Sequence, residues 1–151
     1  MRIVADDLTH PDVLDLLRFH LAEAGRNSPE GCVFALDVDG LRAPGTVFWT
    51  AWDGDALLGM AALKDMEPGH GELKSMRTVS GRQGEGIGQA LLGHAIAAAR
   101  ARGMVRLSLE TGDNEPFAAA RRLYERAGFT PCPPFADYRA GSLNTFYTLV
   151  L

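Results

Sequence analysis

The chain has 151 residues, 46% hydrophobic and 23% charged, with a net charge of −4; this suits one soluble globular domain with a buried core. A pI near 5.5 excludes a nucleic-acid binder that relies on a basic surface. No apolar run approaches the roughly 18 residues of a membrane span, Met1–Asp7 has no apolar leader core, and Cys32 and Cys132 share no metal-ligand spacing, so the expectation is a cytoplasmic protein with free thiols and no metal, membrane or nucleic-acid partner.

Arg2–Ala5 predicts a short first strand. Thr9 reads as the N-cap of a helix with Pro11 in its first turn. Val13, Leu14, Leu16, Leu17 and Leu21 form its apolar stripe to about Ala24, and Gly25 ends it. His20 borders that stripe and reads as packed or exposed rather than catalytic. From Asn27 to Gly45 the pattern is weak: Ser28-Pro29-Glu30 can start a second helix, which Gly31 and Gly40 weaken. Asp37 and Asp39 there belong to a solvated loop or to an acidic lip over a substrate pocket.

Thr46–Trp52 is β-branched and aromatic and predicts a strand. Asp53-Gly54 turns it back into a second strand, Ala56–Lys64. Pro68-Gly69-His70-Gly71 breaks the chain before a third antiparallel strand, Glu72–Val79. A helix follows to about Arg102, its apolar face carried by Ile87, Leu91, Ala95 and Ala98, with Gly103 as its stop. Val105–Thr111 alternates as a strand, so it and Glu72–Val79 form a right-handed parallel βαβ unit. Asp113–Pro116 caps a further helix with Phe117, Ala120, Tyr124 and Ala127 on its face. Short strands at Phe129–Cys132 and Thr145–Val150 close the chain around Pro133-Pro134.

Between strand and helix stands Gln83-Gly84-Glu85-Gly86-Ile87-Gly88. Glycines at alternate positions allow positive φ and leave the backbone uncovered. N–H groups at a helix start have no intrahelical partner and sit at the positive end of the dipole, so the stretch can bind a phosphate or pyrophosphate. It can equally be a turn with glycines for geometry alone. A P-loop is excluded, because no Lys-Ser/Thr pair follows Gly86. The dinucleotide fingerprint fails as well, because Gln89 or Leu91 occupies its third glycine position.

The remaining pattern, Q-x-x-G-x-G, resembles the acetyl-CoA pyrophosphate loop of the GNAT (Gcn5-related N-acetyltransferase) superfamily. Leu123-Tyr124-Glu125-Arg126-Ala127-Gly128-Phe129 matches the family's L-Y-E-x-x-G-F segment, and the order β-α-(α)-β-β-β-α-β-α-β-β resembles its fold throughout. Glu72-Leu73-Lys74-Ser75-Met76-Arg77 and Leu109-Glu110-Thr111-Gly112 are similar to a bacterial subgroup of mostly unassigned acceptor. The resemblance implies an α/β fold with a mixed, mostly antiparallel sheet of about seven strands, one parallel pair and about four helices. It also implies acetyl-CoA as co-substrate, an amine acceptor that is a small molecule or a peptide, and allows a homodimer.

For the site, the resemblance implies that Gln83, Gly84, Glu85, Gly86, Ile87 and Gly88 hold the pyrophosphate. Met76 and Thr78 would meet the pantetheine arm where the two parallel strands splay, and a free N–H on Glu72–Val79 would meet the oxyanion. Tyr124 would protonate the leaving thiolate. Many members carry Asn seven residues before the Tyr; here that position is Phe117, and Asn114 one turn earlier is a substitute contact. Glu72 is the candidate base and Glu110 the residue that orients the acceptor, unless both are solvated or paired with Lys74 and Arg106. Strand alternation places Glu72, Lys74, Met76 and Thr78 on one face. Asp37, Asp39, Glu72, Glu110 and Asp137 favour a cationic acceptor, whereas Lys74, Arg77 and Arg139 favour an acidic one. Two other classes stay open: a non-catalytic acyl-CoA-binding module of this fold, and a Rossmann-like nucleotide or S-adenosylmethionine binder. For the latter, Glu110 stands about 20 residues beyond the last glycine, where such folds place a ribose-binding acid.

Overall fold

The structure, a computed structural model, describes residues 1–24, 32–136, 138 and 144–151. The proposed helix start at Ser28–Glu30, the stop at Gly25, and Asp137 and Arg139 lie outside them. The elements are β1 (Arg2–Ala5), α1 (Pro11–Glu23), α2 (Cys32–Arg42), β2 (Thr46–Asp53), β3 (Ala56–Glu67), β4 (His70–Thr78), α3 (Ile87–Ala101), β5 (Arg106–Gly112), α4 (Ala118–Arg126), β6 (Thr130–Pro131) and β7 (Asn144–Val150). A 3-10 turn, Glu115–Phe117, leads into α4. The strands form one seven-stranded sheet in the order β1-β2-β3-β4-β5-β7-β6. Only β4 and β5 pair in parallel; their neighbours are antiparallel. The expected fold class is the observed one.

Two apolar layers sandwich the sheet. Val13, Leu16, Leu17 and Leu21 of α1 and Val38 and Leu41 of α2 pack on Phe48, Trp52, Met60 and Ala62. Leu92, Ala95 and Ala99 of α3 and Tyr124 of α4 pack on Trp49, Leu63, Leu73, Leu107 and Leu109. Helices on both faces explain why β2 and β3 read as nearly continuous apolar runs. The buried Thr50 hydroxyl is satisfied inside the first layer: it accepts from Trp52 Nε1 at 2.7 Å and donates to Asp6 Oδ2 at 2.9 Å.

Several boundaries differ from the sequence reading for identifiable reasons. The N-cap of α1 is His10, not Thr9: His10 Nδ1 accepts the Asp12 N–H at 3.0 Å, while the Thr9 hydroxyl donates to Asp7. The second helix exists, with Gly40 inside it. It is docked by Arg42, which donates to the carbonyls of Asp7 and Leu8. β4 starts at His70, because the turn is completed at Pro68-Gly69.

The face assignment along β4 needs a larger correction. Met60 pairs with Arg77 but Ala62 pairs with Lys74, so β4 carries an extra residue, and Ser75 has φ 53. Such a bulge breaks the two-residue alternation. Leu73 and Met76 consequently face the same α3/α4 layer, and Glu72 and Lys74 lie on the opposite face from Met76 and Thr78.

Gly59 fixes how closely β3, β4 and α3 approach. A Cβ there would meet the Arg77 carbonyl oxygen at 2.8 Å, Leu91 Cδ1 at 3.0 Å and Ile87 Cγ2 at 3.2 Å. The backbone oxygen cannot step aside as a side chain can. Gly59→Ala is expected to cost about 1–3 kcal/mol, read as a lower midpoint in urea with an unchanged slope; a wild-type midpoint would contradict the close approach.

Candidate active site

The site forms where β4 and β5 part. Their pairing runs from His70↔Arg106 to Leu73↔Leu109 and stops, although β4 continues to Thr78 beside β3 and β5 continues to Gly112 beside β7. The β4 edge beyond Leu73 therefore has no strand partner on this side, and its outward backbone groups face an opening.

The glycine stretch closes one end of that opening. Gly81, Gly84 and Gly86 have φ of 84°, 84° and 81°, the left-handed region that glycine enters without penalty. Gly86 is the N-cap of α3, and the first intrahelical bond runs from Ala90 N to Gly86 O. The N–H groups of Ile87, Gly88 and Gln89 thus precede the helix ladder. A Cβ on Gly84 or Gly86 would meet nothing within 4 Å, so the loop leaves a space that a ligand can enter. Gln83 shapes the loop, since its Oε1 accepts the Gly81 N–H at 2.9 Å. Glu85 pairs with Arg82 at 2.9 Å. Gly88 is held against Leu123 of α4 and lies beside Met76 and Thr78.

This end is a cavity of about 340 Å3 walled by Met76, Thr78, Gln83, Gly84, Gly86, Ile87, Gly88, Phe117 and Leu123. A second cavity of about 400 Å3 lies toward α1 and α2, walled by Glu23, Asp37, Glu72, Lys74, Glu110, Asn114, Phe117, Tyr124 and Tyr138. Met76, Phe117 and Ala120 line both, so the two cavities share a wall.

Glu72 is only 3% exposed, and its Oε2 accepts the Tyr138 hydroxyl at 2.6 Å. Glu110 lines the same cavity from β5. Tyr124 is also buried, and burial pushes its phenol well above the ordinary tyrosine range, with Arg77 opposing. The side chain is therefore a proton donor throughout the neutral range. Asp37 joins the cavity wall, whereas Asp39 is exposed on α2.

Tyr138, which the sequence reading did not single out, belongs here, and so does His20, read there as packed or exposed: its Nδ1 accepts the Arg77 Nε–H at 3.1 Å. The Arg77 guanidinium lies over the rings of Phe19 and Phe117, 5.3 and 5.2 Å from their centroids, and burial lowers its pKa, with Glu23 counteracting. Asn114 stands on the wall of the second cavity, whereas Phe117 reaches both. Among the described residues no group of three or more His, Cys, Asp or Glu could hold a metal ion. No described helix is long and apolar enough to cross a membrane.

The chain belongs to the acetyltransferase (GNAT) family, whose model matches residues 13–129. It is 45% identical over 148 residues to the uncharacterized N-acetyltransferase YsnE of Bacillus subtilis (strain 168), covering 98% of each chain. It is 44% identical over 149 residues to the uncharacterized N-acetyltransferase YedL of Escherichia coli (strain K12), covering 99% of this chain and 94% of that one. The solved structure of a Bacillus subtilis acetyltransferase in complex with CoA superposes with a TM-score of 0.73 over 99% of this chain and 98% of that one; at 21% identity this is a likeness of fold.

Gly86→Val places a branched side chain at φ 81 and in the open cradle. It is expected to weaken acetyl-CoA binding by more than about tenfold while the far-ultraviolet spectrum stays native, since a left-handed non-glycine residue costs only about 1–2 kcal/mol. Calorimetric affinity equal to wild type in the folded variant would refute the role of the loop.

Proposed function

We propose that the chain is an N-acetyltransferase that carries the acetyl group of acetyl-CoA directly to an amine of a small molecule or peptide, within one domain. The observation that carries this reading is the shared wall of the two cavities at Met76, Phe117 and Ala120. One cavity offers unpaired N–H groups for a pyrophosphate and the other offers carboxylates for an ammonium.

In this reading the pyrophosphate lies on the backbone of Gln83–Gly88, and the pantetheine arm runs past Met76 and Thr78 along the unpaired β4 edge. Phe117 packs against the cofactor side and Asn114 borders the acceptor side. The bulge at Ser75 re-aims a β4 N–H toward the thioester carbonyl, where it stabilises the oxyanion. Glu72 takes the proton of the incoming ammonium, Glu110 orients the acceptor, and the neutral amine attacks the carbonyl carbon. Tyr124 gives its proton to the departing thiolate as the C–S bond breaks, and the surplus proton on the acylated nitrogen restores the phenol, leaving a neutral amide and CoA thiol. Lys74 is the one lysine or arginine among the described residues of the acceptor cavity, against Glu23, Asp37, Glu72 and Glu110; that balance favours a cationic acceptor. An acetyl-CoA turnover screen over polyamines, amino acids, aminoglycosides and peptide N-termini tests the reading. Tight acetyl-CoA binding with no turnover of any amine would turn it into the non-catalytic module.

Tyr124→Phe keeps the ring and removes the donor, so kcat should fall by roughly 10–10³-fold with acetyl-CoA affinity unchanged. Because burial holds the phenol protonated, wild-type kcat should show no alkaline break below about pH 10, the range of a free tyrosine. A break near pH 9 that disappears in Tyr124→Phe would contradict the assignment.

The two carboxylates separate by pH. A base is needed most when the amine is protonated and becomes redundant as pH nears the amine's own pKa. Glu72→Gln should lower kcat/KM at pH 7 and recover partly by about pH 9, whereas Glu110→Gln should mainly raise the acceptor KM. Exchange of those two profiles would reverse the roles.

A further inference from the structure

Tyr138 lies on the segment between β6 and β7, far from Glu72 in sequence, yet its hydroxyl donates to Glu72 Oε2 at 2.6 Å and both residues line the acceptor cavity. The segment is built to bring it there. Cys132 N–H donates to the Phe146 carbonyl at 3.0 Å, tying the start of the segment to β7. Pro133 and Pro134 then restrict the backbone. Ala136 turns the chain with φ 50, a strained value for a residue with a side chain, and Tyr138 N–H closes the turn on the Phe135 carbonyl at 3.1 Å.

The Tyr138 ring rests on Phe135 and Phe146, with centroids 5.3 and 5.9 Å away. Aromatic packing therefore holds the ring independently of its hydroxyl. The hydroxyl meets a carboxylate that is almost wholly buried, where an unpaired charge is costly and a partner fixes its direction.

We propose that Tyr138 is a positioning residue, holding Glu72 Oε2 so that the other carboxylate oxygen is presented to the acceptor amine. This rests on the reading of Glu72 as the base. One oxygen is committed to the phenol, which leaves one for the ammonium and sets the side from which the amine reaches the thioester. Among the described residues, the other titratable groups that line the cavity with this carboxylate are His20 and Glu23 of α1, Asp37 of α2, Lys74 of β4, Glu110 of β5 and Tyr124 of α4. None of them is altered chemically when only the Tyr138 hydroxyl is removed.

The test is Tyr138→Phe, read in two ways. In crystals of the variant, the Glu72 carboxylate is expected to leave its wild-type position while Phe135 and Phe146 keep theirs. In kinetics, acceptor kcat/KM is expected to fall about tenfold at pH 7, through kcat rather than acetyl-CoA affinity, with no further loss when Tyr138→Phe is added to Glu72→Gln. A carboxylate that keeps its place in the variant crystal, or effects that add in the double variant, would overturn the proposal. If wild-type protein turns over no amine, the acetyltransferase reading fails, and the crystal comparison alone decides the positioning role.

Discussion

The separation of β4 from β5 is the constraint on which the site depends. Parallel strands need a crossover, and here the crossover is the glycine stretch plus α3. If β4 and β5 paired along their whole length, the N-terminus of α3 would face a closed sheet. Pairing instead ends at Leu73↔Leu109, and two residues later Ser75 takes a left-handed conformation. The bulge keeps β4 bonded to β3 as far as Thr78 while changing which face its side chains occupy. One backbone irregularity thus opens the edge, sends Glu72 toward the α1 side and leaves Met76 on the α3 side. The close approaches at Gly59 and Gly88 then hold α3 tightly enough that its N-terminal N–H groups end beside the opening rather than above it.

Most of this framework is legible in the residues. Asp53-Gly54 specifies a hairpin, the glycine stretch marks the strand-to-helix turn, and the Ile87–Ala99 stripe fixes the face of α3; each is a local signal whose physics is complete within a few residues. The family resemblance carries Tyr124, which the structure buries on the wall of the second cavity. The features that escaped have no pattern of their own in the sequence. Serine at position 75 gives no hint of positive φ, so strict alternation put Glu72 and Met76 on one face. His10 outcompetes Thr9 as N-cap because Thr9 is already engaged with Asp7. Tyr138 sits in a segment of prolines and aromatics without period, and only the fold brings it to Glu72.

The departure at position 117 has its own physical logic. Where the family often has an asparagine, this chain has a buried phenylalanine that walls both cavities. Its ring stacks with the Arg77 guanidinium, which also lies over the ring of Phe19. Such contacts stabilise a half-buried cation by about 0.5–2 kcal/mol each. The stack has something to offset: Arg77 Nη2 is buried and finds no hydrogen-bond partner among the described residues, and a group left so is unfavourable by about 1–3 kcal/mol or more. Gly112 completes the arrangement, because any Cβ there would run into the Phe117 ring and Asn114 Oδ1. Gly112, Phe117 and Arg77 are therefore coupled by packing. A hydrogen-bonding asparagine at position 117 would give up the stack, leaving Arg77 with His20 and a single ring. The phenylalanine thus packs a guanidinium that lines the glycine-bounded cavity against the wall the two cavities share.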